Sequence, residues 1–225
     1  MTVCDVARLL PGIVRLREHC RALAMLEAIL SPDWEFRCYS FNAGWAPGQQ
    51  LASMRNGSGD EYAIVFSPEG AYVRGFDHES SMSPYAHDGP WPGVVDSVPE
   101  VFQPQVEEPA FTDEAGMPVV TACLWRETGD DHWRTGEIDF PQDLDDPDGA
   151  DHLFALLTDR SPAAYARFAQ DIHELPVDPA AVQRILALQP LTPSLLQALN
   201  PSATLAALAP DIAETGYPSV GRDGS

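Results

Sequence analysis

The first long segment of the chain carries apolar residues at steps of three and four positions. Ile13, Leu16, Cys20 and Leu23 follow this spacing, which places them on one face of a helix. The segment ends at a Ser-Pro-Asp sequence that is typical of a helix stop. We therefore predict a helix over residues 12–30.

Short segments rich in aromatic and β-branched residues follow this helix, with turn sequences between them. Connections of only a few residues favour an antiparallel meander, because parallel strands need a long crossover. A further pair of such segments flanks residues 128–131 and indicates another hairpin. The pattern predicts about six strands, over residues 34–41, 50–55, 62–67, 71–76, 119–126 and 132–138.

The last third of the chain shows a different pattern, in which a capping residue precedes a proline at five places. The side-chain oxygen of such a residue accepts from free backbone N–H groups, and proline fits the first helical position. Apolar residues then recur at helical spacing. The pattern predicts short helices that begin at Asp146-Pro147, Ser161-Pro162, Asp178-Pro179, Thr192-Pro193 and Asn200-Pro201.

Together these elements predict an α+β fold, in which an N-terminal helix packs on an antiparallel sheet of about six strands and a C-terminal run of short helices follows. We expect residues 1–145 to form the sheet region and residues 146–219 a helical region packed on it as one compact unit. The connections are short and no Gly/Ser-rich linker separates the two. Residues 220–225 are predicted to be disordered.

The composition narrows the classes of function. The chain has 225 residues, with 34 acidic against 13 basic side chains and a net charge of −21. Phosphate contacts normally need cations, so we predict no nucleic-acid partner. Anionic membrane surfaces repel such a protein for the same reason. All basic residues are Arg, and the absence of Lys excludes a Schiff-base mechanism and a phosphate-loop lysine.

The four cysteines and the N-terminus bear on localisation. The cysteines lie far apart without a C-x-x-C pair, which indicates reduced, structural thiols rather than a metal or redox site. Arginines interrupt the stretch in which a secretory signal needs continuous apolar residues, and no segment reaches the length of a membrane span. We predict a cytoplasmic bacterial protein without a cofactor.

The acidic residues are concentrated in one part of the chain. Residues 1–59 hold six Arg and five acidic residues, a net charge of +1, and residues 60–225 hold seven Arg and 29 acidic residues, a net charge of −22. Residues 137–151 carry seven carboxylates and no basic residue. This stretch is either a solvated loop that caps the next helix or an acidic surface for a basic partner.

The second interpretation predicts a non-enzymatic acidic binding protein, such as an immunity-type inhibitor that masks a basic site on a protein partner. Aromatic side chains in turns serve as anchors in interfaces of this kind, and carboxylates around them form a charged rim. The predicted anchors are Tyr85 and Trp91, and the predicted rim is Asp143, Asp145, Asp146 and Asp148.

The loop over residues 77–93 supports an alternative function. Long connections without regular structure are uncommon in compact domains and are often functional. Two histidines and three carboxylates within one loop are suited to acid–base catalysis or to metal binding in a hydrolase or another metal-dependent enzyme. The candidate catalytic residues are His78, Glu79, His87 and Asp88, and the candidate metal ligands are Asp77, His78 and His87.

Four blocks of the sequence resemble a family of uncharacterised bacterial proteins. They are YSFN at residues 39–42 together with Trp45, ASMRNGSGDEY at 52–62, GFDHES at 75–80 and PGVVDSVPE at 92–100. The resemblance covers about half of the chain. It implies a bacterial, intracellular, free-standing protein and carries over no activity or catalytic residue.

Overall fold

The computed structural model of the chain describes residues 1–142 and 144–219, so Asp143 and the predicted disordered tail lie outside the described residues. The predicted α+β fold is confirmed: helices at the N-terminus, one antiparallel sheet and a run of short C-terminal helices. The sheet is an open meander in which each strand pairs with its neighbour in sequence. Its strands are β1 (Tyr39–Ala46), β2 (Gln49–Arg55), β3 (Glu61–Phe66), β4 (Gly70–Phe76) and β5 (Ala122–Glu127).

The predicted helix over residues 12–30 is present, and other helices accompany it. The helices are α1 (Val3–Leu9), α2 (Ile13–Leu30), α3 (Pro84–His87), α4 (Gln103–Val106), α5 (Ala150–Leu153), α6 (Ala155–Thr158), α7 (Pro162–His173), α8 (Pro179–Leu186), α9 (Pro193–Leu199) and α10 (Ala209–Thr215).

The short helix α1 begins with a capping arrangement. The carboxylate of Asp5 accepts from the backbone N–H of Thr2 at 3.1 Å, and the carboxylate of Asp148 accepts from the N–H of Val3 at 2.8 Å. Two free N–H groups of the first turn are thereby satisfied. The second bond comes from a residue that is distant in sequence, so it ties α1 to the start of the helical region.

Both faces of the sheet are covered, and this explains why the central strands are almost entirely apolar. Val73 of β4 and Leu124 of β5 belong to the cluster that the helices cover. Their neighbours Tyr72 and Trp125 belong to a second cluster on the opposite face, formed with the segment that joins β4 to β5. Alternate residues of a strand point to opposite faces, so each face has its own core.

The structure corrects the number of strands from about six to five. Residues Trp34–Phe36 form a 3-10 turn, and β1 begins only at Tyr39. The segment over residues 132–138 forms a single bridge, between Arg134 and Trp125. A Cβ atom on Gly136 would lie 1.7 Å from the carbonyl oxygen of Gly93, so this segment packs its backbone against another loop instead of extending the sheet.

Three of the five predicted capping positions begin helices as expected. The side chains of Ser161, Asp178 and Thr192 each accept from a backbone N–H in the first turn of α7, α8 and α9. At Asp146 the helix starts later, since Gly149 is the N-cap of α5. Asn200 ends α9 instead of beginning a helix.

No helix among residues 1–142 and 144–219 combines the length and the hydropathy that crossing a lipid bilayer requires.

Candidate functional site

The candidate site lies at one end of the β3–β4 pair. Glu61, the first residue of β3, pairs with Phe76, the last residue of β4. Asp60 and Asp77 directly flank these two residues and therefore lie next to each other just outside the ladder. Both aspartates are buried, although carboxylates are seldom buried without partners.

Helix α5 adds a histidine to the two aspartates. Asp60, Asp77 and His152 each offer one ligand atom, and these atoms all lie within 4.8 Å of one another. We call these three residues the aspartate–histidine cluster. His152 is exposed, so the cluster opens to solvent on the side of the imidazole.

The backbone around Asp77 holds its carboxylate in place. Its Oδ1 accepts from the N–H of Glu79 at 2.8 Å, and its own N–H donates to the hydroxyl of Thr121 at 3.1 Å. Gly149, at φ +74°, lies so close that a Cβ atom there would be 2.6 Å from Oδ2 of Asp77. Only glycine both adopts this conformation easily and leaves space for the carboxylate.

The carboxylate of Asp60 is oriented by two side chains. The Nδ2 group of Asn56 donates to its Oδ2 at 2.6 Å, and the imidazole Nδ1 of His78 lies 2.6 Å from its Oδ1. Burial favours the protonated acid, but the hydrogen bonds from His78 and Asn56 outweigh burial and lower the pKa of Asp60. Asp60 is therefore ionised at neutral pH.

His152 lies among carboxylates on both sides of its ring. Its Nε2 is 3.6 Å from Oδ2 of Asp60, and its Nδ1 is 3.5 Å from Oδ2 of Asp146. The carboxylate of Asp146 is the largest cause that raises the pKa of His152, and burial opposes it. When His152 is protonated, it neutralises part of the negative charge of the surrounding carboxylates. When His152 is neutral, its nitrogen and one oxygen each from Asp60 and Asp77 form a set of three metal-ligand atoms.

The predicted site residues of the loop over residues 77–93 lie in two separate places. Asp77 and His78 lie at the cluster, and exposed Glu79 follows them with Oε1 3.9 Å from Nε2 of His78. The Nε2 of His87 instead lies 2.7 Å from the carbonyl oxygen of Ser81. His87 thus belongs to a different part of the loop, and the two histidines do not converge on one centre.

The other residues around His87 have structural contacts. The ring of His87 packs edge-on against Trp91, with centroids 4.9 Å apart. Exposed Asp88 is the C-cap of α3 in the left-handed conformation, at φ 56°. These contacts stabilise the turn that follows α3, and they bring neither residue to the aspartate–histidine cluster.

The two predicted anchors differ in exposure. The side chain of Tyr85 is 63% exposed and packs one edge against Phe76. Trp91 is half-buried, and its indole N–H donates to the carbonyl oxygen of Asp139 at 3.0 Å. Of the two, only Tyr85 has most of its surface open to a partner.

The residues of the predicted acidic rim also differ in exposure. Asp145 is exposed, and Asp146 is half-buried beside His152. Asp148 is completely buried, its carboxylate accepts from the N–H groups of Val3 and Ala150, and burial raises its pKa to about 6. A surface contact through Asp148 would require the start of α5 to open. The remaining predicted rim residue, Asp143, lies outside the described residues.

A separate cavity of about 870 Å³ lies on the other face of the sheet. Trp125, which is 3% exposed, forms part of its lining, and its indole N–H has no hydrogen-bond partner in the part of the chain that the structure describes. Four carboxylates also line this cavity, which we call the acidic cavity: Asp96, Glu127, Glu137 and Asp139.

The basic side chains that line the acidic cavity already have acidic partners. Arg134 donates two hydrogen bonds to Asp130, which raises the pKa of the arginine, and the imidazole of His132 bonds to Asp131. Among the described residues, no ion pair includes any of the four lining carboxylates. Their negative charge is therefore open to an external cation.

Sequence reasoning missed Asp60 and His152. Asp60 is in a turn sequence, and His152 has acidic neighbours like many surface histidines. The predicted β3–β4 hairpin was a signal that could have identified Asp60. Asp60 directly precedes β3 and Asp77 directly follows β4, and antiparallel pairing brings two such residues together.

Comparison of this chain with protein-family models, with curated proteins and with solved structures found no match. The resemblance of the four sequence blocks to a family of uncharacterised bacterial proteins therefore stays a prediction.

Proposed function

We propose that this protein is an acidic binding protein that masks a basic site on a protein partner, in the manner of an immunity-type inhibitor. The observation that carries the proposal is the acidic cavity. Its four carboxylates have no ion-pair partner among the described residues, and the basic side chains Arg134 and His132 beside them bond to Asp130 and Asp131. An arginine side chain from a partner supplies the missing charge.

The lining of the acidic cavity suits arginine in particular. The guanidinium group is planar, binds carboxylates through two hydrogen bonds and stacks on aromatic rings. Pro92 and Pro99 supply apolar surface beside the carboxylates, against which the aliphatic part of arginine packs.

The contacts around the cavity hold its shape before a partner arrives. The carboxylate of Asp96 accepts from the N–H of Gly93 at 2.7 Å, and the indole of Trp91 holds the backbone of Asp139. A site that is already formed loses less conformational entropy on binding. Trp91 therefore contributes to binding by supporting one wall of the cavity.

The net charge of the chain acts at longer range. Residues 60–225 carry a net charge of −22, with seven Arg and 29 acidic residues. Such a field raises the rate at which a basic partner associates, and salt screens it beyond about 10 Å at 0.1 M. The electrostatic field of the chain therefore attracts a basic partner, and the acidic cavity binds the partner's cationic side chain.

The experiment compares the cavity with acidic surface elsewhere. An arginine-rich peptide is the probe, and association and dissociation rates are measured by surface plasmon resonance. The cavity variant is Glu137→Gln with Asp139→Asn. The control variant is Glu107→Gln with Glu114→Gln, two exposed residues that do not line the cavity and that change the net charge equally.

We expect the cavity variant to weaken peptide binding about tenfold more than the control, which corresponds to about 1.4 kcal/mol. The part of the loss that the two variants share should appear in the association rate and should shrink when salt rises from about 0.05 M to about 0.3 M, whereas the additional loss in the cavity variant should appear mainly in the dissociation rate. Equal losses in the two variants would show that only net charge matters. A glycine–serine peptide that bound as tightly as the arginine peptide would also overturn the proposal.

The predicted anchor Tyr85 gives a further arm of the same experiment. Aromatic anchors set the dissociation rate, whereas rim charges act on association. With a basic protein in place of the peptide, Tyr85→Ala is expected to accelerate dissociation and leave association unchanged. An unchanged dissociation rate would remove Tyr85 from the interface.

A further inference from the structure

We propose that Asp60, Asp77 and His152 form a binding site for one divalent transition-metal cation, with Zn²⁺ as the best fit and Mn²⁺ next. The site is separate from the acidic cavity, so it does not depend on the proposed binding function. The three ligand atoms lie within 4.8 Å of one another and come from three different elements of the chain.

The first argument is an unused ligand atom. Asp77 is only 9% exposed, and its Oδ1 accepts from Glu79. Its Oδ2 has no hydrogen bond or ion pair with any other described residue. This oxygen is therefore free to bind a cation that lies between Asp60 and Asp77.

The second argument is the shape of the backbone beside this oxygen. Gly149 has a φ of +74°, and any Cβ there would come within 2.6 Å of Oδ2 of Asp77. The glycine therefore leaves the carboxylate room next to α5. The same helix carries His152 three residues later, so a single turn provides both the space and the nitrogen ligand.

The third argument is the orientation of the ligands. Asp146 lies on the Nδ1 side of His152, and Nε2 faces Asp60. A carboxylate behind a histidine fixes its ring and increases its basicity in many metal sites. Asp60 is likewise held, by Asn56 and His78. We therefore assign Asp146, Asn56 and His78 as positioning residues.

The separation of His152 and Asp60 fits a tetrahedral ion. Ligand atoms about 2.1 Å from a tetrahedral centre lie about 3.4 Å apart, and Nε2 of His152 is 3.6 Å from Oδ2 of Asp60. The mixed set of one imidazole and two carboxylates suits Zn²⁺ and Mn²⁺ better than Mg²⁺, which prefers oxygen ligands and retains its waters. Three protein ligands leave at least one coordination position for water or another ligand.

The first test is direct metal binding. The full chain without an affinity tag is stripped with a chelator and titrated calorimetrically with ZnCl₂, MnCl₂ and MgCl₂. We expect one Zn²⁺ per chain, weaker binding of Mn²⁺ and none of Mg²⁺. Zn²⁺ should also raise the melting temperature, because it binds the native state and joins three separate elements. No Zn²⁺ binding by the unsubstituted chain would overturn the proposal.

The second test assigns the ligands. His152→Gln and Asp77→Asn are each expected to weaken Zn²⁺ binding more than tenfold, and Asp146→Asn, behind the histidine, by about 10- to 100-fold. The control is His132→Gln, an exposed histidine that also has an aspartate beside it. Zn²⁺ binding that was unchanged by His152→Gln and Asp77→Asn, or reduced equally by His132→Gln, would overturn the assignment.

Three further measurements make the test decisive. His152 is exposed, so His152→Gln should keep the fold, and circular dichroism checks this even if Asp77→Asn unfolds. Co²⁺ in place of Zn²⁺ should give visible absorption bands that His152→Gln alters and His132→Gln does not. Binding of the arginine-rich peptide should be the same with and without chelator, since the peptide contacts different residues. Failure of one proposal is thus distinguishable from failure of the other.

Discussion

The imidazole Nε2 of His173 lies 3.1 Å from Oε1 of Glu27, a carboxylate that is completely buried in the helical core. Glu27 also accepts from the hydroxyl of Tyr165 and from the backbone N–H of Cys38, each at 2.8 Å. One side chain of α2 therefore joins α7 and the segment before β1. Buried charges persist in proteins when they are paired and hydrogen-bonded in this way.

The first prediction concerns the charge of Glu27. In Glu27→Gln, an amide NH₂ group replaces one of the carboxylate oxygens that accept hydrogen bonds from Tyr165 and Cys38. At least one buried donor then loses its acceptor, and the ion pair with His173 is lost. We expect the free energy of unfolding to fall by about 3 kcal/mol, as measured by urea denaturation. The control is Glu18→Gln, an exposed residue on the same helix, which should change stability by less than about 0.5 kcal/mol. Equal effects of the two variants would contradict this role of Glu27.

The second prediction concerns the pH dependence of stability. The hydrogen bond to Glu27 raises the pKa of His173 above 6.5, and burial opposes this. Protonated His173 is thus favoured in the native state, so its contribution to stability is complete below pH 6.5 and is lost as the pH rises through the folded pKa.

The measurement is the free energy of unfolding at several pH values from about 5.5 to about 8.5, a range that spans the ordinary histidine pKa. The decrease with rising pH should be smaller in His173→Gln than in the unsubstituted protein. His78 and His152 have raised pKa values as well, and the comparison of variants separates His173 from them. Identical pH profiles would exclude the pair as a source of this dependence.

The third prediction uses two glycines with the same backbone conformation. Gly149 and Gly57 have φ values of +74° and +77°, but a Cβ on Gly57 would meet no atom of residues 1–142 or 144–219 within 4 Å. Gly57→Ala should therefore cost only the backbone strain, about 1–2 kcal/mol. Gly149→Ala adds the collision with Asp77 and should cost about 1–3 kcal/mol more. Urea denaturation measures both, and equal losses would show that Asp77 moves aside freely.

Local sequence signals predicted the elements that local interactions form. The helix of residues 12–30 and the caps at Ser161, Asp178 and Thr192 are present, because apolar spacing and capping act within a few residues. The strands of the central hairpins followed from their turns for the same reason. The segment over residues 132–138 failed as a strand because its backbone packs against Gly93, about forty residues earlier.

The candidate sites also show that local sequence signals do not predict contacts between residues far apart in the chain. Asp77 and His78 were singled out because they are adjacent in a loop, but His87 of the same loop bonds to Ser81. Asp60 meets Asp77 through strand pairing, and His152 reaches them only because α5 packs on the end of the sheet. The hairpin pattern could indicate that Asp60 approaches Asp77, but no spacing in the sequence indicates that His152 joins them.

The amino-acid sequence by itself determined the net charge, the excess of carboxylates after residue 60, the α+β class, most of the strand positions and the helices α2, α7, α8 and α9. These follow from composition and from interactions between near neighbours. Only the tertiary structure decided which carboxylates are paired, which are buried and which are exposed to solvent. Asp148 is buried, for example, whereas Glu137 is exposed. Burial and ion pairing depend on distances between residues far apart in the chain, and folding alone sets those distances.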